Sequence, residues 1–223
     1  MIIAIDGPAG SGKSTTARRV AARLGVRYLD TGATYRALAF AARAAGLDDE
    51  AFAATLPDVD LDIRYADDGA QRVWIGGEDV TEVLRSREMG PLASALARHT
   101  PVRERLGALQ RAVGQAIAAR DGGVVLDGRD IGTVVFPDAD VKVFMTADVR
   151  ARAERRRREL GERGEAADLG ALEAEILARD AQDMARAFGP LRCADDAVVL
   201  DTTRMTPEEQ VEFVARLAEA HRR

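Results

Sequence analysis

The 223-residue sequence contains one cysteine, Cys193, two histidines and only two lysines. A single cysteine excludes an internal disulfide and any metal site built from several cysteines. His99 and His221 are isolated from each other and from residues that would form a catalytic pair, so we expect structural or surface roles for them. Aromatic residues make up only 4% of the chain, which predicts a core of alanine, valine, leucine and isoleucine.

Long apolar stretches and an excess of positive charge are also absent. Asp6 interrupts the first apolar run, which argues against a signal peptide, and no later run is long enough to span a bilayer. The net charge of −5 argues against a nucleic-acid-binding protein but allows a local positive cleft. We therefore expect a cytoplasmic protein without nucleic-acid or membrane partners, with a chain long enough for one large α/β domain.

A glycine-rich segment at residues 7–14 follows the first apolar run and reads GPAGSGKS. It matches the phosphate-binding pattern G-x-x-x-x-G-K-[ST], and it stands between a β-branched run and a helix-forming stretch, as that pattern requires. Strand, turn and helix together direct backbone N–H groups at an anion. Lys13 would reach the β- and γ-phosphates of a nucleotide, and the Ser14 hydroxyl would hold Mg²⁺. The alternative is an ordinary glycine-rich turn with a surface lysine. Against it, 30 of the chain's 32 basic residues are arginine and the only other lysine is Lys142, so a lysine at this position indicates a need for a compact charge.

Short apolar runs at residues 28–30, 124–126, 141–145 and 197–200 predict further strands, with helical patterns between them. This alternation predicts a doubly wound parallel sheet, an α/β fold. Ligands of such sheets bind at the carboxyl ends of the strands, where Asp30, Asp127 and the glycine-rich loop would lie. Thr31 is expected to cap the next helix, and Thr100 the helix that starts at Pro101.

The segment from Asp60 to Gly77 has a period of two with a central turn, and it predicts a β-hairpin insert packed by Trp74. A later helix carries Arg155–Arg158, either as a solvated face or as part of a lid that closes over phosphates. In the helix predicted for residues 171–188, we expect Leu177, Ala181, Met184 and Phe188 to face the core. By periodicity alone, Arg179, Asp183 and Arg186 form an ordinary solvated face.

A phosphate loop identifies a nucleotide site without identifying the reaction. A hydrolase or switch needs a residue that orients water and a segment that reports hydrolysis. A phosphotransferase needs arginines that hold two anions together, and Arg36, Arg129, Arg179 and Arg186 each lie beside a predicted strand end or on a predicted helix. These two classes, and other small-molecule kinases such as those for shikimate, stay open at this point.

Four segments, in their order and spacing, resemble bacterial cytidylate kinases of the nucleoside monophosphate kinase group: GPAGSGKST, YLDTGATYR, DGRDIGTVVFPDA and RDAQDMAR. The resemblance covers nearly the whole chain. It implies a single phosphate-loop kinase domain over residues 1–223, with a monophosphate-binding insert at about 60–100 and a helical lid at about 150–170. It implies transfer of the ATP γ-phosphate to CMP or dCMP, with Mg²⁺, by a monomer.

The resemblance also implies residue roles. Those for ATP are Gly7, Pro8, Ala9, Gly10, Ser11, Gly12, Lys13, Ser14 and Thr15, and those for Mg²⁺ are Ser14 and, through water, Asp127. Lys13, Arg129 and Arg186 would be catalytic. Cytosine would be read by Ser94, Arg103 and Asp130, the monophosphate held by Thr31, Tyr35, Arg36, Arg129 and Arg186, and the ribose held by Arg179 and Asp183.

Overall fold

The computed structural model describes residues 1–162 and 164–221; Arg163, in the predicted lid, lies outside the described residues. The strands are β1 (Ile2–Asp6), β2 (Arg27–Asp30), β3 (Leu61–Tyr65), β4 (Gln71–Ile75), β5 (Glu78–Asp79), β6 (Val124–Gly128), β7 (Val141–Thr146) and β8 (Val198–Asp201). The α-helices are α1 (Lys13–Leu24), α2 (Thr31–Ala44), α3 (Asp49–Thr55), α4 (Met89–Leu96), α5 (Thr100–Asp121), α6 (Val149–Gly161), α7 (Leu169–Met184) and α8 (Pro207–His221). A 3₁₀ turn spans Val83–Arg85, and a π-helical turn spans Ile131–Val135.

Five strands form a parallel sheet in the order β2-β6-β1-β7-β8, which confirms the predicted doubly wound fold. Strand β1 is central, and its side chains alternate between two cores. Ile3 and Ile5 pack with α1 and α8 on one face, while Ala4 packs with α5 on the other. Because both faces of β1 are covered, its residues 2–5 are continuously apolar. Parallel pairing brings Asp6, Asp30 and the end of β6 to one edge.

The insert is a separate antiparallel sheet in the order β3-β4-β5, so the predicted hairpin is confirmed and gains a short third strand. Val73, rather than Trp74, packs this sheet against α2, with Ala33 and Ala37. Trp74 is only partly buried and lies under the Arg64 guanidinium, whose carbon is 4.4 Å from the ring centre. Neighbouring residues of a strand point to opposite faces, so when Val73 faces α2, Trp74 must face away from it.

The predicted orientation of α7 is wrong. The helix ends at Met184, and Leu177 and Met184 are exposed by 54% and 57%. Its buried face carries Leu172, Ile176, Asp180 and Asp183. Charged residues occupy the inward face because arginines from two other segments pair with them there, and such pairing offsets the cost of burying a carboxylate.

Two predicted caps are displaced by one residue. Asp30 caps α2 by accepting a hydrogen bond from the Ala33 N–H at 3.0 Å, and Thr31 is the first helical residue. His99 rather than Thr100 precedes α5. The predicted capping box before α8 is confirmed by hydrogen bonds between Thr206 and Glu209. None of the helices in residues 1–162 and 164–221 is long and apolar enough to cross a membrane.

Candidate active site

The loop between β1 and α1 depends on glycine at two positions. A side chain at Gly7 would place its Cβ 1.9 Å from the Met145 carbonyl oxygen, inside van der Waals contact. Gly12 precedes α1 with φ of 95°, in the left-handed region that favours glycine. The loop therefore lies tightly against β7, and α1 begins at Lys13 beneath it. This is the strand–loop–helix geometry that binds phosphates.

Lys13 is buried at the centre of this loop. Its Nζ donates to the Pro8 carbonyl oxygen at 2.6 Å and lies 3.4 Å from the Ser11 hydroxyl oxygen. Burial, followed by the nearby Arg129, lowers the pKa of Lys13 well below its usual value. An anion bound between Lys13 and Arg129 would relieve this repulsion, so the site is electrostatically ready for a phosphate.

Asp127, at the end of β6, faces the start of α1. Its Oδ2 accepts a hydrogen bond from the Ser14 hydroxyl at 2.7 Å, and its Oδ1 accepts one from the Tyr28 hydroxyl at 2.7 Å. Burial, followed by the charge of Asp30, raises the pKa of Asp127. No three His, Cys, Asp or Glu side chains converge on a metal site within the described ranges. One hydroxyl and one carboxylate nevertheless suit Mg²⁺, a hard cation that takes its remaining ligands from water and phosphate.

A second group of charges joins the loop after β6 to α7. Asp183 accepts a hydrogen bond from Arg129 Nε at 2.8 Å and another from Arg186 Nη2. Burial acts to raise the pKa of Asp183, but Arg129 and Arg186 more than offset it, and the pKa falls below its usual value. Arg179 lies beside them and is exposed on one side, and partial desolvation of its guanidinium, followed by the charge of Arg129, lowers its pKa. Two of the three arginines therefore share one carboxylate.

A third pair lies at the far end of the same space. Arg103 is 3% exposed, and its Nη2 donates to Asp130 Oδ2 at 2.6 Å. The Arg103 guanidinium carbon is also 5.6 Å from the centre of the Tyr35 ring. Ser94 on α4 is held from α7, because Gln182 Nε2 donates to its carbonyl oxygen at 2.9 Å and its hydroxyl oxygen at 3.2 Å.

The start of α2 closes this space. Arg36 donates to the Asp30 carboxylate at 2.7 Å, and the Thr31 hydroxyl donates to the Asp127 carbonyl oxygen at 2.6 Å. Thr31 therefore ties α2 to β6 through its hydroxyl.

One cavity of about 270 Å³, here called the main cavity, collects these side chains. Its walls carry six basic groups and four carboxylates, which leaves an excess of positive charge in a protein of net charge −5. The Nε atoms of Arg36, Arg103 and Arg186 are buried there without a hydrogen-bond partner among the described residues. Unpartnered buried donors are costly, and an anionic ligand would satisfy them.

Every residue predicted for CMP lines the cavity, beside Lys13, Ser14 and Asp127: Thr31, Tyr35, Arg36, Ser94, Arg103, Arg129, Asp130, Arg179, Asp183 and Arg186.

A second cavity adjoins the phosphate loop on the side of α6 and α7, and Gly10, Gly12, Lys13 and Thr15 line it. Two arginines of α6 contact the loop. Arg152 is buried, pairs with Asp180 at 2.5 Å and donates to the Ala9 carbonyl oxygen at 3.1 Å. Arg155 donates to the carbonyl oxygen of Thr202 and, at 3.5 Å, to that of Gly10. Arg157 and Arg158 are exposed, so the solvated-face interpretation holds for only part of the run.

Sequence reasoning missed several residues that support the site. Asp6 accepts hydrogen bonds from the Ile131 and Gly132 N–H groups at 2.8 and 2.7 Å, and burial raises its pKa to about 6. Gln210 of α8 accepts from the Thr16 hydroxyl at 2.8 Å. These contacts join residues more than 100 positions apart, and no local pattern could have indicated them. The position of Asp6 at a strand end was the one available signal.

Comparison with known proteins agrees with this geometry. The family model described as cytidylate kinase matches residues 3–220. The chain is 52% identical to a cytidylate kinase of Salinibacter ruber over 96% of this chain and 95% of that one. It is 47% identical to one of Geobacter sp. strain M21, over 97% and 91%. A solved structure of an uncharacterized protein from Eubacterium ventriosum shares the fold, with a TM-score of 0.54, 11% identity and 99% of both chains covered. The chain belongs to the cytidylate kinase family.

Proposed function

We propose that the protein transfers the γ-phosphate of ATP to CMP or dCMP, giving ADP and CDP or dCDP. The single observation that carries the proposal is the main cavity, which is lined by phosphate-loop residues, an excess of arginine charge and the polar side chains of Ser94 and Asp130. The relatives' printed name, cytidylate kinase, agrees with it. Phosphoryl transfer between two anions depends more on cationic side chains that neutralise the phosphate charges than on a general base.

The ATP end is assigned to the phosphate loop, residues 7–15. Its backbone N–H groups would hold the β- and γ-phosphates, and Lys13 would bridge the phosphoryl group in flight. Ser14 and Asp127 would hold Mg²⁺, their oxygens being 2.7 Å apart. When bound, the ion supplies charge neutralisation between the β- and γ-phosphates.

The acceptor end is assigned to the arginine cluster. Arg36, Arg129 and Arg186 would bind the monophosphate, with the Thr31 and Tyr35 hydroxyls beside it. Arg179 and Asp183 would hold the ribose. Because Asp183 already fixes Arg129 and Arg186, these two arginines are ordered before substrate arrives, which reduces the entropic cost of binding.

Base selection is assigned to Ser94, Arg103 and Asp130. Cytosine presents an amino group and two acceptors, and a carboxylate beside a guanidinium matches that edge. Uracil would leave a buried donor or acceptor unpaired, which sites of this kind reject strongly.

The test is a coupled ADP-release assay with CMP, dCMP, UMP, AMP and shikimate as separate acceptors. We expect rapid ADP formation with CMP or dCMP and little with the other three. Acceptor-independent ADP release would point to a hydrolase or switch, and turnover with shikimate to a different kinase. Arg36→Ala should raise the KM for CMP, whereas Arg43→Ala, on the exposed end of the same helix, is the matched control.

We further propose that residues 60–100 act as a monophosphate-binding insert and residues 150–170 as a lid. Both segments line the second cavity, Arg87 and Pro91 from the first and Arg156 and Leu160 from the second, so movement of either would change access to the phosphate loop. X-ray scattering should show a smaller radius of gyration with CMP plus a nonhydrolysable ATP analogue than without ligands. An unchanged radius would contradict closure.

A further inference from the structure

The Asp127 carboxylate is held from two sides, and only one of its two contacts belongs to the phosphate loop. Ser14 approaches Oδ2 from α1, and the Tyr28 hydroxyl donates to Oδ1 from β2, each at 2.7 Å. The main-chain oxygen of Asp127 is fixed as well, because the Thr31 hydroxyl donates to it at 2.6 Å. Each oxygen of Asp127 therefore accepts a hydrogen bond from a different element.

We propose that Tyr28 is a positioning residue that orients the Asp127 carboxylate for a divalent cation. The inference rests on the proposed function, in which Ser14 and Asp127 hold the ion. Tyr28 itself touches neither the nucleotide nor the metal in this assignment. Its hydroxyl binds Oδ1, and this leaves Oδ2 as the oxygen directed at Ser14 and the phosphate loop.

The torsion that rotates a carboxylate about its Cβ–Cγ bond is soft and roughly two-fold. Ser14 alone would restrain only one oxygen, so the carboxylate plane could turn around that contact. A second donor on the other oxygen fixes the plane. In metal sites, outer-shell donors of this kind orient the ligands, and their loss typically reduces metal affinity or activity about 10–100-fold.

Tyr28 is itself well fixed. Its ring packs against the core formed by α1, β1 and α8, and the Arg18 guanidinium carbon is 5.5 Å from the ring centre. Its main chain is held within β2, where Tyr28 pairs with Val125 of β6. The ring therefore presents its hydroxyl to Asp127 without a large loss of side-chain entropy on binding.

Tyr65 supplies a matched control. Tyr28→Phe and Tyr65→Phe each remove one hydroxyl from a partly buried tyrosine, and both lost hydrogen bonds lie in the same neighbourhood. Only the first of these bonds ends on the Asp127 carboxylate. The second ends on the Tyr28 main-chain oxygen, at 2.9 Å, and its loss leaves intact the strand pairing that holds Tyr28. A merely structural effect should be similar in the two variants, whereas an effect on the cation should appear only in Tyr28→Phe.

The experiment measures Mn²⁺ binding by electron paramagnetic resonance, with the full chain and a nonhydrolysable ATP analogue but without CMP. We expect the Mn²⁺ dissociation constant to rise about tenfold in Tyr28→Phe and less than about twofold in Tyr65→Phe. Excess Mn²⁺ should restore kcat in Tyr28→Phe. Thermal unfolding of both variants checks that each is folded, and Tyr28→Leu serves as a second hydroxyl-free variant should Tyr28→Phe not fold.

Equal Mn²⁺ affinity in Tyr28→Phe and the wild-type protein would overturn the inference, as would an equal loss in both phenylalanine variants. The wild-type protein is assayed for CMP phosphorylation in parallel. Absence of that activity would reject the proposed function, whereas an active wild-type protein with unchanged Mn²⁺ binding in Tyr28→Phe would reject only the role of Tyr28.

Discussion

Arg129 donates to the Asp183 carboxylate across 2.8 Å, and this bond joins the loop after β6 to α7. Asp183 is 1% exposed and also accepts from Arg186, so one buried carboxylate orders two guanidinium groups that face the main cavity. Removing a single member of such a group leaves buried charge without compensation, which is more damaging than losing a surface ion pair.

We therefore expect Asp183→Asn to destabilise the protein by about 3 kcal/mol at neutral pH. The pKa of Asp183 is lowered in the folded state, so its contribution is present above its ordinary pKa and is lost as the pH falls through the lower folded value. The difference between Asp183→Asn and wild type in urea unfolding should thus shrink in acid. Asp62→Asn, which removes an exposed pair with Arg64, is the control. A loss that does not vary with pH would contradict the assigned charge.

Lys13→Ala should lower kcat by about 10² or more, by analogy with the loss of one preorganised donor to the transition state. Lys142→Ala removes the other lysine, which is also buried but pairs with Asp196 outside the main cavity. It should reduce stability with little effect on kcat. Steady-state kinetics on the folded variants check both expectations, and near-normal turnover of Lys13→Ala would refute its role.

Ser94→Ala should raise the KM for CMP roughly five- to tenfold, the effect of losing one hydrogen bond of about 1 kcal/mol. Turnover with UMP should be unaffected, so the ratio of kcat/KM for CMP to kcat/KM for UMP should fall. Ser86→Ala removes an exposed hydroxyl in the same insert and should change neither the KM for CMP nor the turnover with UMP. The measurement is kcat/KM with each monophosphate, and an equal change for CMP and UMP would show that Ser94 does not read the base.

Asp6 provides a prediction about pH. Burial raises its pKa to about 6, so between about pH 4 and pH 6 the folded protein holds a proton that the unfolded chain has released. The folded state must then lose stability as the pH rises through this interval. Asp6→Asn cannot titrate, and the stability of wild type relative to this variant should fall from pH 4 to pH 6 and then level off. If the unfolding free energies of wild type and Asp6→Asn differ by the same amount at every pH, the raised pKa is refuted.

Much of the fold could be predicted because its signals are local. The mostly apolar runs at residues 2–5 and 141–145 predict buried parallel strands, and the glycine spacing before Lys13 predicts a phosphate-binding turn. The edge of the sheet where the ligand would lie follows from parallel pairing alone.

The buried face of α7 could not be predicted from its own sequence. Periodicity separates its apolar stripe from its charged stripe, and burial of the apolar one is the usual outcome. Here Leu177 faces solvent and Asp180 faces Arg152, whose segment lies 28 residues earlier. Only the pairing of charges from separate elements reverses the rule, and a single sequence does not display such pairs. The contacts of Asp6, Tyr28 and Gln210 were hidden for the same reason.

The scarcity of lysine has a practical consequence. Both side-chain amines, Lys13 and Lys142, are buried, so acylating reagents should leave the side chains of the folded protein almost unmodified. Modification of Lys13 would then report opening of the phosphate loop around it, and modification of Lys142 would report opening of the sheet near β7. Mass spectrometry of the two peptides that contain these lysines could follow opening at two separate places in the fold, without any introduced label.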